Sequence, residues 1–150
     1  MRVDWSPLRS ALKDFRRDGL DLPVWWRDDD ATKPTEALDK LHETAARLQV
    51  PDHVAVISGL AKPELASMND SSGMLVPVAH GWKHKNNAPP DQKRSEFGTP
   101  RPEAAQEIQL SFQAMKTIFG SGFLPLFVPP WNRFDPSHVA ALAPAGYRGI

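Results

Sequence analysis

Three adjacent aspartates, Asp28, Asp29 and Asp30, directly follow a short apolar run that contains two tryptophans. Three like charges in a row repel one another, so a chain that ends an apolar segment on them needs a reason. The triplet can be a solvated turn, a cap that interacts with the dipole of the next helix, or a site that binds a cation. The three residues by themselves leave these alternatives open.

Two histidines, His80 and His84, are separated by three residues in the segment HGWKH. On a helical turn this spacing places both imidazoles on one side, near enough to share one metal ion. With a carboxylate of the triplet they would supply two nitrogens and one oxygen, a common ligand set of catalytic metal sites. No glutamate stands between the histidines, so the segment is not the HExxH of zinc proteases.

Other unusual residues follow two further apolar runs. Ser58 ends VAVIS, and Pro129, Pro130 and Trp131 follow LPLFV. The double proline could simply stiffen a turn, or it could hold the Trp131 backbone N–H in the fixed direction that an oxyanion donor requires. The remaining histidines show no partner pattern and are expected at the surface: His42, His53 and His138.

The apolar pattern predicts helices that alternate with strands. Helices are predicted over residues 6–19, 34–48, 62–68, 102–120 and 135–146. Strands are predicted over residues 22–27, 54–58, 75–79 and 124–128, with a fifth strand starting at Tyr147. Pro77 places the third strand at an edge or a bulge, because proline cannot donate to a ladder. The polar, proline-rich residues 85–102 form a long loop, and such loops are usually functional or mobile.

This alternation predicts an α/β fold with a parallel sheet, either open or closed into a barrel. In such folds, sites lie at the carboxyl ends of the strands, where the aspartate triplet, Ser58, His80 and Trp131 are all expected. The 150 residues suit a single domain. Because the sequence stops at the start of a strand, we expect residues 1–150 to be the N-terminal part of a longer domain.

Composition excludes several classes of protein. The 18 basic and 18 acidic residues balance, so neither a nucleic-acid partner nor an anionic membrane surface is expected. There is no cysteine, which excludes a disulfide framework and thiolate metal sites. Neither a signal-peptide core nor a run of roughly 20 apolar residues is found, and we expect a cytoplasmic location.

The segments RDDDATKPTEALDKL, HGWKH and VPPW together resemble the polysaccharide deacetylase family, also described as the NodB-homology or carbohydrate esterase family 4 fold. The family motifs are T-F-D-D-G, H-x-x-x-H and R-P-P-Y, in this order. The resemblance implies a distorted (β/α) barrel of the NodB type, incomplete in this chain. It also implies a metal-dependent hydrolase that cleaves a non-peptide C–N bond and removes N- or O-acetyl groups from sugars.

Residue by residue, the resemblance implies that Asp30, His80 and His84 hold a divalent metal, which we expect to be Zn²⁺. Asp29 would be the general base that deprotonates water, and the Trp131 N–H would bind the oxyanion. Asp28 and Asp29 also form a D-D pair. The later pair is preferred because Ala31 stands where the family has a small glycine.

The sequence departs from the family pattern in three ways. Val128 stands where the family has an arginine that orients the base, and Arg27 or Arg133 could replace it. The later family motifs, including the catalytic histidine acid, have no counterpart before residue 150. Because no export signal is found, a small amide is an alternative to a carbohydrate polymer as the substrate.

Two other functions compete with this one. Asp28-Asp29-Asp30-Ala31-Thr32 also fits the D-x-D-x-T of haloacid-dehalogenase-type phosphatases, with Asp28 as nucleophile, Asp30 as acid/base and Mg²⁺ as the metal. Ser58 fits that alternative, but HGWKH and VPPW do not. The chain could also be a degenerate family member that binds sugar or metal without turnover.

Overall fold

The computed structural model describes residues 3–68 and 72–150. Within them, four parallel strands form one sheet, in the order β1-β2-β3-β4. The strands are β1 (Arg27–Ala31), β2 (Asp52–Val56), β3 (Leu75–His80) and β4 (Phe127–Val128). The α-helices are α1 (Ser6–Arg17), α2 (Glu36–Leu48), α3 (Ala104–Phe119) and α4 (Val139–Ala145). Short 3₁₀ segments cover Pro63–Met68, Pro130–Asn132 and Pro136–His138.

The predicted α/β architecture with a parallel sheet is confirmed. Strands that are consecutive in the chain are neighbours in the sheet, and the order never reverses. That order is the one found in (β/α) barrels, whereas doubly wound sheets reverse at a switch point. The predicted fifth strand is represented by one bridge, between Leu126 and Gly149, in which the Phe127 N–H donates to the Gly149 carbonyl at 3.0 Å.

The core lies between the central strands and helix α3. Strands β2 and β3 are buried along almost their whole length, as expected for parallel strands covered on both faces. Helix α3 contributes Ile108, Met115 and Phe119, which lie on one face at helical spacing. The predicted loop at 85–102 contains neither helix nor strand, yet residues 95–97 are buried and Phe97 belongs to the core.

The first predicted strand is wrong in position. Strand β1 covers residues 27–31, and the apolar run before it meets the sheet through the Trp26 carbonyl, which accepts the His53 N–H at 3.0 Å. Val24 is 80% exposed and Trp25 is 52% exposed. Strand pairing decides this, because Arg27 is the first residue in register with β2. The three aspartates therefore lie within β1, an edge strand whose central residues face solvent.

Pro77 lies in a central strand, so the prediction of an edge or a bulge is wrong. It is in register with Val54 of β2, and its carbonyl accepts the Leu124 N–H at 2.9 Å on the other side. In a parallel strand the N–H and C=O of one residue point to the same side. Strand β4 pairs only with Ala79 and His80. The N–H that Pro77 lacks would therefore face the segment before β4, so no ladder bond is lost.

The first two helices differ in how they pack. Thr35 caps α2 by accepting the Leu38 N–H at 3.2 Å, and α2 buries Leu38 and Ala45 and contacts β2. Helix α1 forms as predicted but buries none of its residues. No helix in the described ranges is long and apolar enough to cross a membrane.

Candidate active site

An irregularity in β1 lies within the stretch that carries the three aspartates. Asp28 is in register with Val54 and Ala31 with Val56, so β1 holds one more residue than β2 over this stretch. Asp30 has a positive φ of 72°. A bulge of this kind interrupts the regular alternation of side chains along a strand. Asp29 and Asp30, which regular alternation would place on opposite faces, can therefore both lie near His80, on which the charges of both act.

Asp30 meets the two histidines of HGWKH. Its Oδ1 lies 3.4 Å from Nε2 of His80 and 3.3 Å from Nε2 of His84. One possible ligand atom from each of the three residues lies within 4.8 Å of the others. In residues 3–68 and 72–150 no second group of three His, Cys, Asp or Glu side chains does so. The structure thus brings together the three residues that the sequence proposed as metal ligands.

The histidines are not on a helical turn, and this part of the prediction is wrong. His80 is the last residue of β3, and the chain then turns through Gly81 and His84, whose φ values are 61° and 54°. The two imidazole centroids are 5.2 Å apart. The Trp131 ring packs on His84 with a centroid distance of 4.1 Å.

One ring nitrogen of His80 is hydrogen-bonded to the backbone, and the other faces Asp30. Its Nδ1 lies 3.1 Å from the Val128 carbonyl, which can only accept, so Nδ1 carries the proton. In the neutral ring Nε2 then keeps its lone pair and faces Asp30. Burial lowers the pKa of His80 and so favours the neutral ring. Two imidazole nitrogens and one carboxylate fit the donor set of a catalytic zinc site.

Glu96, in the long loop, contacts the turn that carries His84. Its carboxylate accepts the N–H groups of Trp82 at 3.0 Å, Lys83 at 2.7 Å and Lys85 at 3.4 Å. Glu96 is only 1% exposed. Sequence reasoning missed this residue, because a single glutamate in a polar loop belongs to no motif.

Ser58 holds the opposite side of the same turn. The Ser58 and Ser111 hydroxyls lie 2.6 and 2.8 Å from the Gly81 carbonyl oxygen, and Tyr147 Oη lies 2.8 Å from Ser111 Oγ. Burial raises the pKa of Tyr147, so its hydroxyl keeps its proton. Ser58 is thus part of a buried network that supports the turn after β3.

Asp29 is paired with an arginine of its own strand. Arg27 Nε lies 2.7 Å from Asp29 Oδ1, and its Nη2 donates to Asp29 Oδ2 at 3.0 Å and to Asn132 Oδ1 at 3.1 Å. Arg133 instead donates to the carbonyls of Arg94 and Trp131. Of the two arginines proposed to replace the family residue, Arg27 is the one that contacts Asp29.

Within residues 3–68 and 72–150, Asp28 and Asp52 have no such arginine partner. Burial, together with the charges of Asp29 and Asp30, raises the pKa of Asp28. Asp52 is fully buried at the start of β2, and neither of its carboxylate oxygens has a hydrogen-bond partner in the described residues. Burial, and next the charges of Asp28 and Asp29, raise the pKa of Asp52 to about 6.

Trp131 has an unusual backbone. Its φ is 56° and that of Asn132 is 53°, so two consecutive residues are left-handed. In this turn the N–H groups of Asn132 and Arg133 donate to the carbonyls of Pro129 and Pro130. Among residues 3–68 and 72–150, we find no acceptor for the Trp131 N–H itself.

A cleft of about 240 Å³ lies between β1 and the start of α2. The three aspartates line it together with residues that include Lys33 and Leu41. It gives a small polar ligand access to the carboxylates.

His138 lies elsewhere and is buried, with Nε2 3.0 Å from the Thr99 carbonyl, so its predicted place at the surface is wrong.

No protein-family model and no curated protein matches the sequence. Solved structures do match the fold. A family 4 carbohydrate esterase from Streptomyces lividans is 18% identical, with a TM-score of 0.64 over 85% of this chain and 60% of that one. A peptidoglycan N-acetylglucosamine deacetylase is 12% identical, with a TM-score of 0.65 over 85% of this chain and 55% of that one.

This chain has the fold of the polysaccharide deacetylases. It spans only 48% of a similar structure, a pseudoenzyme of carbohydrate esterase family 4 from Bacillus anthracis, which is 14% identical with a TM-score of 0.58 over 89% of this chain. Its four strands correspond to an incomplete NodB-type barrel, which confirms the predicted fold. The deacetylase fold gives no support to the phosphatase alternative, whose proposed acid/base, Asp30, contacts His80 and His84 instead.

Proposed function

We propose that this chain carries the metal-binding half of a deacetylase-like hydrolase that acts on a non-peptide C–N bond of a carbohydrate. The observation that carries the proposal is the convergence of Asp30, His80 and His84, with ligand atoms within 4.8 Å of one another. The order of the three motif segments and the deacetylase fold support it.

Asp30, His80 and His84 would hold one divalent ion, and Zn²⁺ suits two imidazoles and a carboxylate. When bound, the ion supplies a Lewis acid that lowers the pKa of water and polarises a carbonyl group. The hydrogen bond from His80 Nδ1 to the Val128 carbonyl fixes the tautomer that this role needs.

Asp29 is proposed as the general base that accepts the proton of the attacking water. Arg27 holds both of its oxygens and so fixes the direction of the carboxylate. This salt bridge performs the task of the arginine that Val128 replaces. The Trp131 N–H, which has no acceptor among the described residues, is proposed as the donor to the oxyanion.

The proposed substrate is an N-acetylated sugar, whose amide C–N bond is cleaved. Two of the similar structures are a carbohydrate esterase solved with acetate and an N-acetylglucosamine deacetylase. The cleft beside β1 supplies carboxylates, which accept hydrogen bonds from sugar hydroxyls, and Lys33, which donates them. A small amide of cytoplasmic origin is the alternative substrate.

Metal titration tests the proposal directly. The purified protein, stripped with a chelator and titrated with Zn²⁺, should bind one ion per chain, and His84→Ala should abolish tight binding. His42→Ala is the matched control, because His42 is not among the three converging residues. Binding of Mg²⁺ alone, or Zn²⁺ binding that His84→Ala leaves unchanged, would contradict the proposed site. Acetate release from N-acetylglucosamine oligomers then tests the reaction.

A non-catalytic, metal-binding or sugar-binding role is the second candidate. Val128 in place of the family arginine and the similarity to a pseudoenzyme favour it. In that case the protein would bind Zn²⁺ and acetylated oligomers but release no acetate.

A further inference from the structure

We propose that Glu96 is a positioning residue for the metal site and sets its affinity by fixing the turn that carries His84. This inference rests on the proposed metal-binding function. It concerns a residue outside all three motif segments.

The Glu96 carboxylate gathers backbone donors from the turn after β3. Three N–H groups, from Trp82, Lys83 and Lys85, converge on its two oxygens, the shortest at 2.7 Å. Convergent backbone N–H groups form a nest that binds an anion. In this protein the nest is occupied by the Glu96 carboxylate. Hydrogen bonds to an ionised acceptor are stronger than neutral ones, so the turn is held firmly from within.

Glu96 is itself fixed in place. Its backbone carbonyl accepts Asn87 Nδ2 at 3.1 Å and Arg101 Nε at 3.2 Å, and its neighbour Phe97 is completely buried in the core. The position of the carboxylate is therefore determined by the core and not by the turn that it contacts. The core therefore fixes Glu96, and Glu96 in turn fixes the turn that carries His84.

The two histidines depend on this arrangement differently. His80 belongs to β3 and is oriented by the Val128 carbonyl. His84 lies four residues beyond, at a left-handed φ of 54°, in a segment with neither helix nor strand. A non-glycine residue at positive φ persists where its surroundings enforce it. The N–H groups on both sides of His84 bind Glu96, so this carboxylate enforces the conformation.

Position 81 is shaped to the same contact. Gly81 is buried with φ 61°, and a Cβ there would collide with the Glu96 carboxylate and with the Pro130 ring. Its carbonyl is held from the other side by Ser58 and Ser111. The turn is thus clamped through its N–H groups by Glu96 and through a C=O by the serine hydroxyls.

The test compares Glu96→Gln with the wild type and with Glu43→Gln, an isosteric change at an exposed glutamate of α2. A glutamine places an NH₂ group where an oxygen accepted an N–H, so part of the nest is broken. We expect Glu96→Gln to weaken Zn²⁺ binding by about 10- to 100-fold, the usual effect of losing an outer-shell partner. Glu43→Gln should leave the Zn²⁺ affinity unchanged.

A spectroscopic readout separates positioning from general destabilisation. In the metal-free, folded protein, Glu96→Gln should shift the NMR signals of the His84 ring and leave those of His80 in place. The visible spectrum of the Co²⁺-substituted protein should change as well. If Glu96→Gln only lowers the thermal midpoint, while the folded variant keeps wild-type Zn²⁺ affinity and His84 signals, the inference is overturned.

Should Glu96→Gln fail to fold, Glu96→Asp keeps the charge and shortens its reach. We expect a smaller loss of Zn²⁺ affinity for Glu96→Asp, and wild-type affinity would again overturn the inference. Failure of the wild type to bind any transition metal would overturn the proposed function, and this inference with it. Binding by the wild type with equal affinity in the variants would overturn the inference alone.

Discussion

Glu96 and Asp52 are two buried carboxylates whose surroundings differ sharply. Glu96 is 1% exposed and accepts three backbone N–H groups, whereas Asp52 is 0% exposed and neither of its oxygens has a hydrogen-bond partner in the described residues. Burial of a charge is costly unless partners replace the lost water. Glu96 can therefore stabilise a turn through its three donors, while Asp52, which lacks donors, has a raised pKa.

The contrast follows the position of each residue in the fold. Glu96 faces a turn with left-handed residues, and such turns expose N–H groups that no ladder uses. Asp52 lies in β2, where its own N–H donates to the Met74 carbonyl and neighbouring N–H groups belong to the sheet. The like charges of Asp28 and Asp29 act on it and help to raise its pKa. The loop thus supplies donors that the strand cannot.

Removal of the Glu96 carboxylate should have the largest effect. Glu96→Leu leaves three N–H groups without their acceptor, and each unsatisfied buried group costs about 1–3 kcal/mol. We expect the free energy of unfolding to fall by about 3–5 kcal/mol on that scale. Urea denaturation measures it. A loss no greater than that of Glu43→Leu would mean that water replaces the carboxylate.

The ion pair between Arg27 and Asp29 can be broken without leaving a buried, unpaired carboxylate, because Asp29 is partly exposed. Arg27→Gln removes the guanidinium from a partly exposed carboxylate, so the orientation of the proposed base is lost. We expect acetate release to fall about 10- to 100-fold in kcat, which corresponds to about 1.4–2.7 kcal/mol, with Zn²⁺ affinity unchanged. Arg133→Gln is the comparison. If it lowers kcat while Arg27→Gln does not, then Arg133 is the residue that replaces the family arginine.

Removal of the Asp52 charge should raise the stability of the protein, whereas removal of the Glu96 carboxylate should lower it. The pKa of Asp52 is raised from 3.8 to about 6 in the folded protein, so the folded state binds more protons than the unfolded state between these values. Wild-type stability then falls as pH rises through this window and stays lowered above it. Asp52→Asn should be more stable than the wild type by about 1–2 kcal/mol near pH 7.5, and the gain should shrink toward about pH 4.

Thermal melts of both proteins across this pH range check the prediction. Asp91→Asn, at an exposed aspartate, controls for the general loss of one negative charge. A gain for Asp52→Asn that does not vary with pH would show that the carboxylate is already neutral or paired.

The smallest effect is expected on the carbonyl side of the clamped turn. Tyr147→Phe removes one hydrogen bond to Ser111 and leaves both serine hydroxyls on the Gly81 carbonyl. We expect a loss of about 1 kcal/mol in the free energy of unfolding. Zn²⁺ affinity should remain within about twofold of the wild type, because losing one such hydrogen bond leaves the N–H groups of Lys83 and Lys85, on either side of His84, bonded to Glu96. A large loss of affinity would show that the two sides of the turn are coupled.

Local pattern predicted most of the elements. Leu38, Leu41 and Ala45 recur at helical spacing and α2 is found there, with Thr35 as its cap. The apolar runs of β2 and β3 are strands because such runs suit a buried parallel sheet. The first strand could not be placed in this way. VWW is as apolar as a buried strand, but pairing with β2 begins only at Arg27.

The sequence by itself determined which residue types are available and in what order they follow the strands: three carboxylates, two histidines four positions apart, and a double proline before a tryptophan. The tertiary structure decided which of them meet. The extra residue in β1 lets Asp30 meet the histidines while Asp29 pairs with Arg27, two positions earlier on the same strand, and the turn held by Glu96 brings His84 back toward β1. Register and left-handed turns depend on contacts between segments far apart in the chain, and no local pattern encodes such contacts.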